Sequence, residues 1–153
     1  MGINILTFDS YIATIQNSIG SKSFQTLWAE VHGAQQDILG GGQYSCGVFV
    51  SGILIWFDLI QERHATVLGT VRGMKASGWE EIKEPKVGCV LHWERQSQNG
   101  SANEHLGFYM GHETAISNSG TDRVPVEHHF TYGATNGIPN RSILAMYWHP
   151  SLS

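Results

Sequence analysis

Residues 44–57 constrain the fold most strongly, because almost every side chain in YSCGVFVSGILIWF is apolar. The run Gly40-Gly41-Gly42 comes just before this segment. A helix that is apolar around its whole circumference is normally buried, and consecutive glycines let the chain turn sharply. The pattern therefore predicts a buried helix entered through a glycine-rich turn. With 153 residues, the chain is long enough to form one domain, residues 1–153, around that helix.

Helical patterns dominate the first half of the chain. Apolar residues at helical spacing predict a first helix between Phe8 and Ile19, with Asp9 or Ser10 as its cap. Residues 24–31 are typical of a short helical or irregular segment. Residues 64–76 predict a third helix, ended by glycine.

Strand patterns dominate the second half. Short runs rich in β-branched and aromatic residues, separated by turn signals, predict strands over residues 87–93, 105–110, 114–117 and 142–148. The intervening residues 96–103 and 111–113 are typical of hairpin connections, and residues 117–131 of a long loop beside the site. Helices followed by such strands indicate an α+β fold, with N-terminal helices packed on a central antiparallel sheet.

Charge and hydropathy exclude two classes of function. The formal net charge is −4 and no Lys/Arg cluster is present, so the counterion-release energy that nucleic-acid binding requires has no source. No apolar run is long enough to span a bilayer. The start of the chain, Met1-Gly2-Ile3-Asn4, lacks the basic region of a secretion signal; we expect cytoplasmic synthesis, with export by another route or release by lysis still open.

Cys46 is the candidate nucleophile, because it lies where the glycine-rich loop meets the buried helix. Unpaired amides and the helix dipole at such a position are expected to lower the thiol pKa. The same amides can donate to an oxyanion, which makes Tyr44, Ser45 and Gly47 the candidate oxyanion and substrate contacts. Gly47 is expected to leave space around the sulfur. The competing interpretation is a small core cysteine.

His105 is the candidate base. Alternation along a strand places His105, Gly107 and Tyr109 on one face, and the glycine leaves room above the sheet for a helix end that carries a thiol. A third group should orient the imidazole, and the neighbouring strand offers Asn118 or, as the competing choice, Ser117.

These segments resemble the NlpC-type cell-wall peptidases and the related CHAP amidases. The glycine-rich loop followed by residues 44–50 (YSCGVFV) is similar to the family's nucleophile segment, residues 85–93 (PKVGCVLHW) to its first core strand, and residues 105–111 (HLGFYMG) to its histidine strand. The resemblance covers about residues 35–120. It implies a papain-like fold, a Cys-His-polar triad and a peptidoglycan peptide as substrate, cleaved within the stem or at the N-acetylmuramoyl-L-alanine amide.

The chain also departs from the family pattern. Ser45 and Gly47 stand where the family usually has Asp and Ser, and Ser117, beside Asn118, aligns with a position that is often a second histidine. The same site could therefore serve a protein deamidase, an acyltransferase or a toxin, or survive without catalysis in a binding module.

No metal or other cofactor is expected. His128 and His129 are adjacent, so on a strand their side chains point to opposite faces, and no zinc-binding spacing is present. The two cysteines, Cys46 and Cys89, lie in different contexts and are expected to be free thiols, Cys89 packed and inert. The oligomeric state is left open.

Overall fold

The fold is known from a computed structural model that describes residues 2–96 and 103–153. Within these residues, three α-helices lie in the first half of the chain: α1 (Thr7–Asn17), α2 (Cys46–Trp56) and α3 (Val67–Ala76). The apolar segment forms α2 as expected, with Cys46 as its first helical residue.

Eight of the ten described strands lie in the second half of the chain. The described strands are β1 (Trp28–Val31), β2 (Ala34–Asp37), β3 (Glu80–Ile82), β4 (Val90–Trp93), β5 (His105–Gly111), β6 (Thr114–Asn118), β7 (Pro125–His129), β8 (Ala134–Thr135), β9 (Ile138–Pro139) and β10 (Ile143–Trp148). Six of them form one antiparallel sheet in the order β3-β10-β4-β5-β6-β7. The chain is thus a mixed helix-and-sheet protein with an antiparallel sheet.

Helix α2 packs on β5 and β6 at the centre of this sheet. Phe49 of α2 meets Phe108 of β5 edge to face, with ring centroids 5.5 Å apart, and Tyr11 of α1 meets Phe108 at 5.9 Å. All three rings are fully buried. Large buried rings contribute much of the hydrophobic stabilisation of a core, so the first residue of α2 is held firmly against the sheet.

Two predictions about the N-terminal half are corrected. The segment 24–31 ends in strand β1, which forms a hairpin with β2 through a two-residue turn at His32-Gly33. Both turn residues have positive φ, 52° and 82°, as such tight hairpins require. Helix α1 starts at Thr7 after Leu6, without a side-chain cap, so neither Asp9 nor Ser10 is its cap.

The predicted long loop over residues 117–131 is also wrong. Residues Pro125–His129 form strand β7, which pairs with β6 and lies at the edge of the sheet. Pro125 is the first residue of this edge strand, a position where a missing backbone N–H is tolerated. The other predicted strands are present with small shifts at their ends, the largest being that the first begins at Val90. Most of the predicted hairpin connection over 96–103 lies outside the described residues.

None of the described helices has the length and apolar character needed to cross a lipid bilayer.

Candidate active site

Two side chains hold the glycine-rich loop before Cys46 in place: Asp37, which precedes the loop in the chain, and Asn118 of strand β6. Asp37 accepts hydrogen bonds from the backbone N–H groups of Leu27, Leu39 and Gly41 at 2.8–3.0 Å. These bonds, that from Leu27 first, lower the pKa of the Asp37 carboxyl. From the sheet, the Asn118 amide donates to the buried Gly42 carbonyl at 2.8 Å. The loop therefore holds Cys46 in a defined position beside the start of β5.

Gly47 lies against the residues that precede α3. A Cβ at Gly47 would lie 2.8 Å from the backbone of Thr66, the residue that caps α3. The glycine therefore permits the close approach of α2 to the start of α3. Ser45, which precedes the helix, is buried, and no described residue hydrogen-bonds its hydroxyl. Tyr44 is half-exposed on the rim.

The His105 imidazole contacts Ser117 on the neighbouring strand. Its Nε2 lies 2.9 Å from Ser117 Oγ, which becomes possible because Gly107, directly opposite Ser117 in the β5–β6 register, has no side chain. A Cβ at Gly107 would lie 2.7 Å from Ser117 Cβ and 3.0 Å from the Trp93 ring. The space above Gly107 thus admits Ser117 and Trp93, not the helix end that we expected there.

Of the two candidates for the third group, Ser117 is the one that touches the imidazole. Asn118 follows Ser117 on the strand and uses its amide to hold Gly42. No hydrogen bond joins Asn118 to His105 among the described residues. Asn118 therefore contributes to the site through the loop that carries Cys46.

His128 extends the contact chain beyond Ser117. Its Nε2 lies 2.7 Å from Ser117 Oγ, and its Nδ1 lies 2.8 Å from the backbone carbonyl of His129. A carbonyl only accepts, so Nδ1 of His128 carries the proton and, in the neutral ring, Nε2 must accept from the Ser117 hydroxyl. Ser117 Oγ then accepts from Nε2–H of His105. The network leaves Nδ1 of His105 unprotonated, as a base requires.

Aromatic rings pack against the two imidazoles of this network. The fully buried Trp93 ring lies 5.5 Å from each of the His105 and His128 rings and 5.6 Å from Tyr132. His128 and Tyr132 stack at 4.1 Å. Because Trp93 also donates to the Phe130 carbonyl at 2.7 Å, its orientation is set, and the imidazoles cannot rotate freely.

The candidate nucleophile and base open into one cavity of about 810 Å³. Cys46, His105, Ser117 and Asn118 line it together with Tyr44. The backbone of Leu106, the residue after His105, hydrogen-bonds to the Cys46 sulfur and lowers the pKa of the thiol. The start of α2 and the start of β5 therefore meet at the cavity wall, and the cavity is large enough for a peptide segment.

The protonation states differ from the expectation of a low thiol pKa. Burial raises the pKa of Cys46 and outweighs the lowering by hydrogen bonds from the backbone of Leu106, Gly47 and Cys46 itself. Burial, the Arg141 charge and His128 lower the pKa of His105 to about 3. The resting pair is therefore a neutral thiol and a neutral imidazole at pH 7.

Cys89 is a second free thiol but is fully buried in the core. Burial raises its pKa to about 11, which fits the expectation of an inert, packed cysteine. Within residues 2–96 and 103–153, no three His, Cys, Asp or Glu side chains are grouped so as to hold a metal ion.

The site residues predicted from the sequence do not include His128, Tyr132 or Arg141, all of which line the cavity. The alternation of Val126 and His128 could have indicated a strand with His128 on the Ser117 face. Arg141 and Tyr132 carry no comparable signal, because they lie outside the regular strands and reach the site only through the fold.

No protein-family model matches the chain, and the search of curated proteins finds no matching relative.

Proposed function

We propose that the chain is a papain-like cysteine hydrolase that cleaves amide bonds in peptidoglycan stem peptides, as an endopeptidase or an N-acetylmuramoyl-L-alanine amidase. One observation carries the proposal: Cys46 at the start of a buried helix and His105 at the start of a central strand open into the same cavity. Ser117 at 2.9 Å from His105 Nε2 supplies the orienting group of a Cys-His-polar triad.

The proposed reaction starts from the neutral pair. As the Cys46 sulfur attacks the substrate carbonyl carbon, Nδ1 of His105 takes the thiol proton. Backbone amides at the start of α2, including that of Cys46, donate to the oxyanion. The imidazolium then protonates the leaving amine and the C–N bond breaks. Water, deprotonated by His105, hydrolyses the thioester and regenerates the thiol.

The substrate class rests on the sequence resemblance to NlpC-type and CHAP enzymes. The order of the nucleophile helix and the histidine strand, and the antiparallel sheet behind them, are compatible with that family. The third group is the main difference. A serine that bridges to a histidine on the next strand takes the place that a single histidine or asparagine usually occupies in the family.

Purified protein tests the proposal directly. The release of peptides from cell walls is measured by mass spectrometry of the fragments. We expect Cys46→Ala to abolish this release and to keep the wild-type circular dichroism spectrum. Cys89→Ala is the matched control, because it removes the other thiol at a site remote from the cavity. Wild-type activity in a folded Cys46→Ala protein would end the proposal.

A binding module with a vestigial site is the second candidate, favoured by the raised pKa of Cys46 and the low pKa of His105. An activated acyl substrate distinguishes the two. A hydrolase forms a thioester at Cys46 that depends on His105, detectable as a mass increase, whereas a binding module forms none. A deamidase, acyltransferase or toxin with the same site would form the adduct but leave stem peptides uncut.

A further inference from the structure

Arg141 places a cation in the cavity beside the candidate catalytic groups. It lies just before β10, its side chain is half-buried, and it lines the same cavity as Cys46 and His105. Its charge acts on both of these groups, lowering the pKa of each. A ligand group that binds Arg141 would therefore lie in the same cavity as the candidate catalytic groups.

The guanidinium is fixed but not saturated. Nε donates to the Glu94 carbonyl at 2.9 Å and Nη2 to the Asn103 carbonyl at 3.0 Å. A further interaction joins the group to the Tyr132 phenol, whose ring lies 5.6 Å from Cζ. Three of the five guanidinium N–H groups are so engaged. Two remain without an acceptor in the part of the chain that the structure describes.

Arg141 forms no direct ion pair with a carboxylate among the described residues, although the charge of the Glu94 carboxylate acts on it and raises its pKa. No Asp or Glu lies at ion-pair distance from it among residues 2–96 and 103–153, and the sequence of residues 97–102, SQNGSA, contains no carboxylate. Glu104, the acidic residue of the cavity wall, lies 3.5 Å from His92. Burial of this cation lowers its pKa. A cation held in a cavity without a direct ion pair is stabilised by an incoming anion.

We propose that Arg141 binds a carboxylate of the substrate next to the scissile amide, so that the site selects peptides with a free carboxylate over their carboxamides. Two parallel N–H groups of a guanidinium match a carboxylate in geometry and charge. This selectivity rests on the proposed function and adds the chemical group by which that site recognises its substrate.

Carboxylate binding has a consequence for the base. The Arg141 charge opposes formation of the His105 imidazolium, and a bound carboxylate offsets that charge. A substrate with the carboxylate is therefore expected to have a higher kcat and a lower KM than its carboxamide. An anchor remote from the base would change KM alone.

The test uses the stem tripeptide Ala-γ-Glu-diaminopimelate and a set of counterparts, each with one carboxylate replaced by a carboxamide. With wild-type protein, one replacement is expected to lower kcat/KM about 10- to 100-fold, the range of a charged hydrogen-bonded contact. In Arg141→Gln the ratio of kcat/KM for the carboxylate to kcat/KM for the carboxamide falls to near one, and Arg141→Lys retains part of the selectivity. Arg72→Gln, the same charge change at an exposed position of α3, keeps the wild-type ratio.

Binding to the Cys46→Ala protein, measured by calorimetry, separates this inference from hydrolysis. If the tripeptide binds at least tenfold more tightly than one carboxamide, and Arg141→Gln removes the difference, the carboxylate site stands even where no peptide is cleaved. If peptides are cleaved at equal rates with and without each carboxylate, the hydrolase stands and the Arg141 inference fails. Equal binding of the tripeptide and every carboxamide, or undetectable binding of all of them, also overturns the inference. So does a loss of selectivity in Arg95→Gln, at the exposed arginine of the cavity wall, as large as that in Arg141→Gln.

Discussion

Replacing His105 by asparagine should remove a large part of the acid sensitivity of this fold. His105 is partly buried and uncharged at neutral pH, because burial first, and then Arg141 and His128, lower its pKa to about 3. In the unfolded chain the same imidazole has an ordinary pKa near 6.5. Between these two values the unfolded state binds a proton that the folded state does not, so stability decreases as the pH falls.

The size of the effect follows from the two pKa values. At pH 7 the imidazole is almost wholly neutral in both states and contributes little. From the unfolded pKa near 6.5 down to pH 4, over about 2.5 pH units, the unfolded chain binds a proton that the folded protein does not. Each of these units corresponds to about 1.4 kcal/mol. His105 therefore makes the free energy of unfolding about 3 kcal/mol smaller at pH 4 than at pH 7.

Urea denaturation at pH 7, 5.5 and 4 measures this loss. The wild type is expected to lose about 3 kcal/mol more than His105→Asn between pH 7 and pH 4. His32→Asn is the matched control; its side chain is exposed and its positive φ suits asparagine, so it should follow the wild type. Equal pH dependence of His105→Asn and the wild type would refute the claim that the folded protein holds a neutral His105.

Three further predictions concern backbone contact, thiol reactivity and the third group. Gly107→Ala should lower the unfolding free energy by about 1–3 kcal/mol, since its Cβ would lie 2.7 Å from two neighbouring atoms. Gly52→Ala, whose Cβ finds an ordinary contact at 3.5 Å inside α2, should raise it by up to about 1 kcal/mol; equal thermal shifts in the two variants would contradict the packing argument. Because the Cys46 pKa is raised, its alkylation by iodoacetamide should accelerate about tenfold per pH unit from pH 6 to 9, and a plateau below pH 7 would instead indicate a thiolate–imidazolium pair. Ser117→Ala should lower kcat about 10- to 100-fold and alter the kcat–pH profile, whereas Asn118→Ala should mainly cost stability, about 1–2 kcal/mol; the reverse result would make Asn118 the orienting group.

The local parts of the site could be predicted from the sequence because local patterns encode them. The apolar run after the glycines predicts a buried helix with Cys46 at its start, and the alternation in residues 105–111 predicts a strand that begins with His105. The two-residue turn at His112-Glu113, with positive φ at both residues, also follows from the short spacing between two strand patterns. Each of these features depends on the backbone periodicity of neighbouring residues.

Contacts that depend on register or burial could not be predicted in the same way. Ser117 rather than Asn118 reaches His105 because Ser117 pairs with Gly107, and a shift of one residue would reverse the choice. His128 joins the network only because residues 125–129 pair with β6.

The sequence alone thus determined which helix is buried and which cysteine and histidine stand at the ends of their elements. The tertiary structure decided how those groups are protonated and what surrounds them. The physical reason is that a pKa reports desolvation and nearby charges, and both arise from residues distant in the chain, such as Arg141, that folding brings to the cavity.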